Sequence, residues 1–303
     1  MTGHPTTPHG RWIDRMKLDK LYATRQPLLS FELFPPKTPA GTEKLWHHVQ
    51  RLMEFDPGYI TCTYGAAGST RDKTMEVVRR VKQQFAIPVA SHLTCVGATV
   101  DQLRSYLAEA RDNAIDAVVA LRGDPPEGDT EFRPVPGGLS YANELVELIT
   151  AEFPEFGVAV AGYPEVHQEA PDADVDLENL RRKVDAGANV VITQLFYDNA
   201  DFYDFRERYD QMGIGVPLVP GILPVTNLAQ IQRITSLCGA QLPGDFVQAL
   251  TAQSDPAGQY QVGVDHATRQ VDDLIGAGVP GVHFYVLNKS QATGAVLQNV
   301  LQR

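Results

Sequence analysis

Short apolar runs alternate with amphipathic stretches along almost the whole chain. The apolar runs fall at 28–34, 59–64, 89–95, 117–121, 158–162, 190–196, 217–222 and 282–287. Several of them lack the apolar–polar alternation of a half-exposed sheet, so they predict strands buried on both faces, as in parallel α/β sheets. Between them, at 42–55, 72–85, 100–113, 141–153, 175–186, 200–212 and 227–238, apolar residues recur at helical spacing, and 290–301 supplies a last helix. An extra segment, 243–276, precedes the eighth strand and predicts one short helix and one longer one. Eight strands alternating with helices predict a (β/α)8 (TIM) barrel of the α/β class. The barrel is expected to occupy 28–303 as a single domain, behind an N-terminal arm and lead-in at 1–27. An open doubly wound sheet is the alternative, but no Gly-x-Gly-x-x-Gly follows any predicted strand.

One residue breaks the pattern of the first strand. In Leu28-Leu29-Ser30-Phe31-Glu32-Leu33-Phe34-Pro35-Pro36, strand alternation puts Glu32 on one face with Ser30 and Phe34. Burial raises a carboxyl pKa, so Glu32 is expected to hold a proton at neutral pH and to serve as an acid. A buried Arg or Lys partner is the plainer account of such a glutamate.

Barrel active sites form at the C-terminal ends of the strands. Those positions offer Thr63, His92, Arg122-Gly123-Asp124, Tyr163 and His167, Gln194, and Lys289 after the eighth strand. Arg122 can face an anion, Gly123 allows close approach to the backbone, and Asp124 can bind a polar heterocycle, although a local salt bridge around a turn explains the tripeptide as well. Gln194 closes a Val-Val-Ile-Thr run, where a buried primary amide needs several partners. On the fifth amphipathic stretch counted from 42, Leu177, Leu180 and Val184 are expected to face the barrel, and Asp176, Asn179 and Lys183 form a polar stripe beside them, next to Arg182. That stripe is either a solvated face or a site for an extended, phosphate-bearing ligand.

Composition narrows the partners. The 303 residues carry 26 basic and 37 acidic side chains, a net charge of −11, which argues against nucleic acid or an anionic membrane as partner. Cys62, Cys95 and Cys238 fit no metal-ligand spacing, no apolar run is long enough to span a bilayer, and the polar N-terminus does not read as a signal peptide. A reduced, cytoplasmic setting is expected, with no metal.

The strings Ser30-Phe31-Glu32-Leu33-Phe34-Pro35-Pro36-Lys37, Thr63-Tyr64-Gly65-Ala66, His92-Leu93-Thr94-Cys95, Ala120-Leu121-Arg122-Gly123-Asp124, Tyr163-Pro164-Glu165-Val166-His167, Lys183-Val184-Asp185-Ala186-Gly187-Ala188, Ile192-Thr193-Gln194, Pro220-Gly221-Ile222-Leu223-Pro224 and His283-Phe284-Tyr285 resemble, in order, the methylenetetrahydrofolate reductase family. The resemblance runs from about Leu28 to the C-terminus and looks like the short bacterial form, the catalytic barrel alone. It implies an FAD-binding barrel that reduces 5,10-methylenetetrahydrofolate to 5-methyltetrahydrofolate with NADH or NADPH, by ping-pong hydride transfer through flavin N5, feeding methionine synthesis. It also implies a homo-oligomer. Under it, Glu32 is the general acid, and Asp124 tunes the flavin and contacts folate. Gln194 and Gln230 bind substrate, with Lys289 near the folate glutamate. Flavin-binding positions fall on Thr63, His92, Arg122, Gly123, Asp124, Tyr141, Ala142, Tyr163, His167, Asp176, Asn179, Arg182 and Lys183. Two positions depart from the family pattern: Ile234 stands where some members have phenylalanine, and Lys289 where some have arginine.

Three other readings remain at this stage. Lys289 at a strand end suits a Schiff-base lyase. A non-redox folate-binding or methyl-transferring barrel would use Asp124 and Gln194 without the Tyr163, His167 and Lys183 set. A flavin barrel of the proline dehydrogenase type would lack the strings around Glu32 and Arg122.

Overall fold

The computed structural model of the protein describes residues 18–24, 27–64, 71–125, 128 and 132–301. Residues 1–17 of the arm and lead-in expected at 1–27, and Gly65 and Ala66 of the second strand-end string, lie outside them. Eleven helices and nine strand segments follow one another in near-regular alternation among the described residues. The strands are β1 Leu28–Leu33, β2 Tyr59–Cys62, β3 Val89–Thr94, β4 Ala117–Leu121, β5 Gly157–Gly162, β6 Val190–Thr193, β7 Leu218–Val219, β8 Gly221–Ile222 and β9 Gly281–Tyr285. All pairings are parallel, in the order β7-β6-β5-β4-β3-β2-β1-β9-β8.

The stretch expected as one seventh strand is two short segments split at Pro220. Proline has no N–H to give to a ladder, so β7 pairs back to β6 and β8 pairs forward to β9 on either side of it. The Pro220 carbonyl still accepts from His283 N at 2.9 Å, and Gly221 N donates to Thr193 Oγ1 at 2.9 Å. A Cβ on Gly221 would lie 2.2 Å from the Thr193 carbonyl oxygen, so only glycine lets the two strand ends close here. The ring is therefore an eight-stranded (β/α)8 barrel whose seventh strand is interrupted.

Between the strands run α2 Pro39–Met53, α3 Arg71–Phe85, α4 Val100–Asp112, α5 Ala142–Glu152, α6 Ala173–Asp185, α7 Asn199–Gln211 and α8 Leu228–Cys238. The extra segment forms α9 Gly244–Thr251 and α10 Pro256–Gly276, as the pattern predicts, and α11 Gln291–Leu301 ends the ring. Outward strand residues such as Phe31, Val118, Val158 and Phe284 pack against the helices in one continuous apolar shell. The inward residues form a second core low in the barrel, including Leu28, Tyr59, Ala90, Ala117, Ala159, Val190 and Val219.

Helix α1, Leu18–Thr24, lies within the expected lead-in but belongs to this inner core. Leu18 and Tyr22 are each 1% exposed, and Tyr22 Oη sits 2.8 Å from Tyr59 Oη. Seven residues are too few to be stable as an isolated helix, so its packing across the lower mouth of the barrel holds it. Apolar filling below and helices outside leave the upper, C-terminal end of the barrel as the place where polar side chains turn inward.

Candidate active site

The strand alternation that buries Leu29, Phe31 and Leu33 among the helices turns Ser30 and Glu32 into the barrel. The same rule applied to β3 and β9 turns His92, Thr94, His283 and Tyr285 inward beside them. Glu32 is 7% exposed, with His92 Nε2 at 3.2 Å and His283 Nε2 at 3.7 Å from its Oε2. Ser30 Oγ lies 2.8 Å from His283 Nδ1, fixing that ring from the other side. Burial pushes the Glu32 carboxyl up, but the two imidazoles more than offset it and hold the group down at about 2. This corrects the expectation of a protonated glutamate at rest. The first strand alone does not show the histidines, and they are the partners in place of the Arg or Lys of the plainer account.

Glu32 and its histidines lie at the floor of a chamber of about 580 Å³. Thr63, Arg122, Gly123, Asp124, Tyr163, His167 and Gln194, all expected at the site, line it. Gln194 Oε1 accepts from Leu195 N at 2.9 Å, which fixes the amide plane at the wall. The Thr94 hydroxyl lines the same chamber, is buried, and finds no hydrogen-bond partner among the described residues. Sequence reasoning passed over Thr94 and His283, although strand alternation carried the signal for both. Gly123 has φ +86, and a Cβ there would stand 2.5 Å from Val96 Cγ1, so the turn itself requires glycine.

A second chamber of about 530 Å³ adjoins the first along Leu121, Arg122, Ala161, Tyr163 and His167. Tyr141, Ala142, Asp176, Asn179, Arg182 and Lys183 line it, so the polar stripe of α6 faces a cavity. The loop after β5 shapes the junction. Val166, a β-branched residue, is held at φ 68, a strained conformation of the kind that concentrates at binding sites. Asp176 Oδ2 accepts from His167 N at 3.2 Å, and the Tyr163 and His167 rings meet edge to face at 4.6 Å.

Two basic residues of this chamber behave otherwise than the sequence suggests. Lys183 turns inward and donates to the Ala161 carbonyl at 2.6 Å, and burial lowers its pKa to about 8 although Asp176 opposes this. Arg122 is already paired: its Nη1 and Nη2 meet Glu169 Oε2 and Oε1 at 2.5 and 2.6 Å. Glu169 is the other residue the sequence reading missed, and local pattern gave no sign of it.

A narrow side pocket shares Leu223, Tyr285 and Leu287 with the main chamber and contains Gln230 and Lys289. Lys289 is exposed and outside the chamber floored by Glu32, so the Schiff-base reading loses the enclosure it needs at Lys289. Ile234 lines the main chamber from α8, and Leu237 stands beside it with 75% of its surface exposed. The residues expected at the site therefore line three neighbouring pockets that share wall residues.

Comparison with known proteins gives the following. The family profile described as methylenetetrahydrofolate reductase matches residues 17–301. The 5,10-methylenetetrahydrofolate reductase of Escherichia coli K12 is 39% identical over 269 residues, covering 88% of each chain. Methylenetetrahydrofolate reductase (NADH) 1 of Arabidopsis thaliana is 36% identical over 295 residues, or 94% of this chain and 50% of that protein. The chain thus spans about half the length of the plant relatives it matches. Among solved structures, a Clostridium thermocellum protein described as binding two copies of 5-methyl-5,6,7,8-tetrahydrofolic acid superposes with a TM-score of 0.62 over 93% of this chain and 97% of that one. At 13% identity that likeness concerns the fold alone.

Proposed function

The chain belongs to the methylenetetrahydrofolate reductase family, and from that premise we propose that it reduces 5,10-methylenetetrahydrofolate to 5-methyltetrahydrofolate, using bound FAD and NADH or NADPH as donor. The observation that carries this reading is the placement of Glu32 between two imidazoles at the floor of a chamber that continues into a second, cation-lined one. A ring system that needs a proton at one atom fits the first chamber, and the remainder of a dinucleotide fits the second.

Several features suit FAD. The Thr94 hydroxyl is a buried group without a partner, placed where a ring system would lie. Arg122, Arg182 and Lys183 supply positive charge in the second chamber, and Asn179 and Asp176 supply groups for sugar hydroxyls. When bound, the flavin supplies two-electron hydride transfer between nicotinamide and folate. The described cleft has one main chamber, which favours alternating occupancy by the two substrates and hence ping-pong kinetics. The NADH-named plant relatives make NADH the donor to try first.

Glu32 supplies acid chemistry through its histidines. At rest the carboxylate is held ionised by the His92 and His283 imidazoles beside it. A heterocycle filling the chamber deepens the burial of Glu32, and low dielectric favours its neutral form, the carboxylate taking up a proton from solvent as the ligand enters. The carboxyl can then protonate a ring nitrogen of the folate and open the five-membered ring toward an electrophilic iminium. Gln194 and Asp124, at the chamber wall, orient the pterin.

The test is an anaerobic visible spectrum of the purified protein, before and after NADH and then after methylenetetrahydrofolate. A flavin band that bleaches and then returns is the expected result. Bleaching without return assigns the enzyme another acceptor and refutes the substrate. A protein that stays colourless after FAD is added refutes the flavin assignment and favours the non-redox folate-binding reading.

A further inference from the structure

Helix α8 forms part of the wall of the main chamber but has little of the barrel core beneath it. Of its eleven residues only Ile231 and Thr235 are buried, and Ile231 belongs to a small apolar cluster separate from the main core. Its first turn is secured: Asn227 Oδ1 accepts from Gln230 N at 2.9 Å, and Gln259 Oε1 accepts from Leu228 N at 3.0 Å. The far end carries Ile234, Leu237 and Cys238 to the chamber, and there the ties come from the loop after β5. Gln168 Nε2 donates to Leu237 O at 3.2 Å, and it packs so close to Gly239 that a Cβ there would stand 2.8 Å from it. Glu165 Oε2 accepts from Gln241 N at 2.7 Å. The same loop brings Tyr163 and His167 to the chamber, so these two bonds join two of its walls.

The tie at Glu165 depends on its charge. Its Oε1 is buried without a hydrogen-bond partner, and no Lys, Arg or His pairs with it among the described residues. The groups that face Glu165 are Asp198 and Asp201 at the start of α7, Tyr197 before them and Cys238 of α8, none of which can carry a positive charge. His266 of α10 faces Asp198 and the Tyr197 carbonyl instead, and burial lowers its pKa, so it supplies no cation as Glu165 titrates. Burial, with Asp201 and Asp198 adding to it against the Gln241 N–H, raises the Glu165 carboxyl to about 7. A neutral carboxyl therefore suits this contact. An ionised one places a partly buried charge beside two carboxylates, and it regains its hydration only by leaving Gln241.

We propose that Glu165 is a positioning residue that, together with Gln168, latches the C-terminal end of α8 to the β5 loop while neutral and releases it when ionised. Release moves Ile234 and Leu237 away from the chamber, so the wall is closed in mild acid and loosened in mild base. The latch acts whichever ligand fills the chamber.

Hydrogen exchange on the full chain tests it, at pH 6 and pH 8.5, with each rate divided by the intrinsic amide rate at that pH. Segment 237–241 is followed, with β3 as the internal reference. A carboxyl that titrates at about 7 in the latch and at 4.5 when free changes the closed-to-open ratio by up to about tenfold between those pH values. Protection of 237–241 in wild type should therefore fall roughly three- to ten-fold from pH 6 to pH 8.5, with β3 unchanged. Glu165→Gln is neutral throughout and should keep the pH 6 protection at both values. Glu165→Ala removes the acceptor and should show the lower protection at both. No fall in wild type, an equal fall in β3 or in Glu165→Gln, or full protection in Glu165→Ala overturns the latch. None of these outcomes bears on flavin or folate, so the proposed function stands or falls by its own spectrum.

Discussion

Exchanging Glu32 for glutamine keeps the size of the side chain and removes the charge between His92 and His283. In the folded protein the carboxyl drops from 4.5 to about 2, which corresponds to about 3 kcal/mol in favour of the ionised form. The sign follows from linkage. A folded pKa below the unfolded one gives stability that is fully present above pH 4.5 and drains away as pH falls toward 2. Glu32→Gln should therefore be less stable than wild type by up to about 3 kcal/mol at neutral pH, with the gap narrowing in acid. Urea unfolding of both proteins across that range measures it. A gap that stays constant between pH 7 and pH 3 would show that the carboxylate is not paired as the 3.2 and 3.7 Å contacts indicate. The same variant separates the two half-reactions in anaerobic stopped flow. FAD binding and bleaching by NADH should persist, because neither needs a proton from Glu32. Reoxidation by methylenetetrahydrofolate should slow by roughly 10²- to 10⁴-fold, the usual worth of a positioned acid. Reoxidation at the wild-type rate would refute the acid role.

Three further substitutions probe groups whose state the fold sets. Lys183 is depressed from 10.5 to about 8, so its buried charge penalises folding below pH 8, and the penalty fades as pH rises toward 10.5. Lys183→Met should leave the FAD-free protein as stable as wild type or up to about 2 kcal/mol more stable at pH 7, while weakening FAD binding at least tenfold; calorimetry and flavin fluorescence titration report the two, and a destabilised apoprotein would contradict the reasoning. Glu169→Gln frees Arg122 from an exposed carboxylate, so FAD affinity should rise roughly two- to five-fold, in line with one partly screened ion pair, whereas weaker binding would mean the pair persists beside the cofactor. Glu165 is raised from 4.5 to about 7 by burial, with Asp201 and Asp198 adding to the effect although Gln241 N donates to it at 2.7 Å. Its stabilising protonated form is fully present below pH 4.5 and lost as pH rises through 7, so Glu165→Gln should raise the Tm at pH 8 by the equivalent of about 1–2 kcal/mol and change little at pH 4.5; an equal shift at both would refute the titration.

How much of this was legible in the sequence follows from how far each interaction reaches along the chain. The period-two pattern of β1 turned Glu32 inward correctly, and the α6 stripe of Asp176, Asn179 and Lys183 faces a cavity as its spacing allowed. Applied to β9, the same rule would have turned His283 inward, since it shares a face with Tyr285. The Pro220 break was readable too, because a missing N–H is a property of the residue alone. Helix α1 was not, since seven residues owe their structure to the barrel mouth they cover. The protonation of Glu32 was misjudged for a related reason. Burial is a local property that an apolar run reveals, and taken alone it gave a raised pKa. What reverses it is His92, brought to 3.2 Å on β3 through the β1–β2–β3 ladder, and His283 near the other end of the sequence, brought to 3.7 Å when β9 closes the barrel against β1. Arg122 shows the same division: its place at a strand end was readable, but its partner Glu169 lies on the loop after the neighbouring strand. A strand pattern can thus nominate a catalytic carboxylate or an anion-binding arginine. The charge state in which each waits for its ligand is decided by which strand ends meet across the barrel, so it is at Glu32 and Arg122 that substitution separates the two kinds of information.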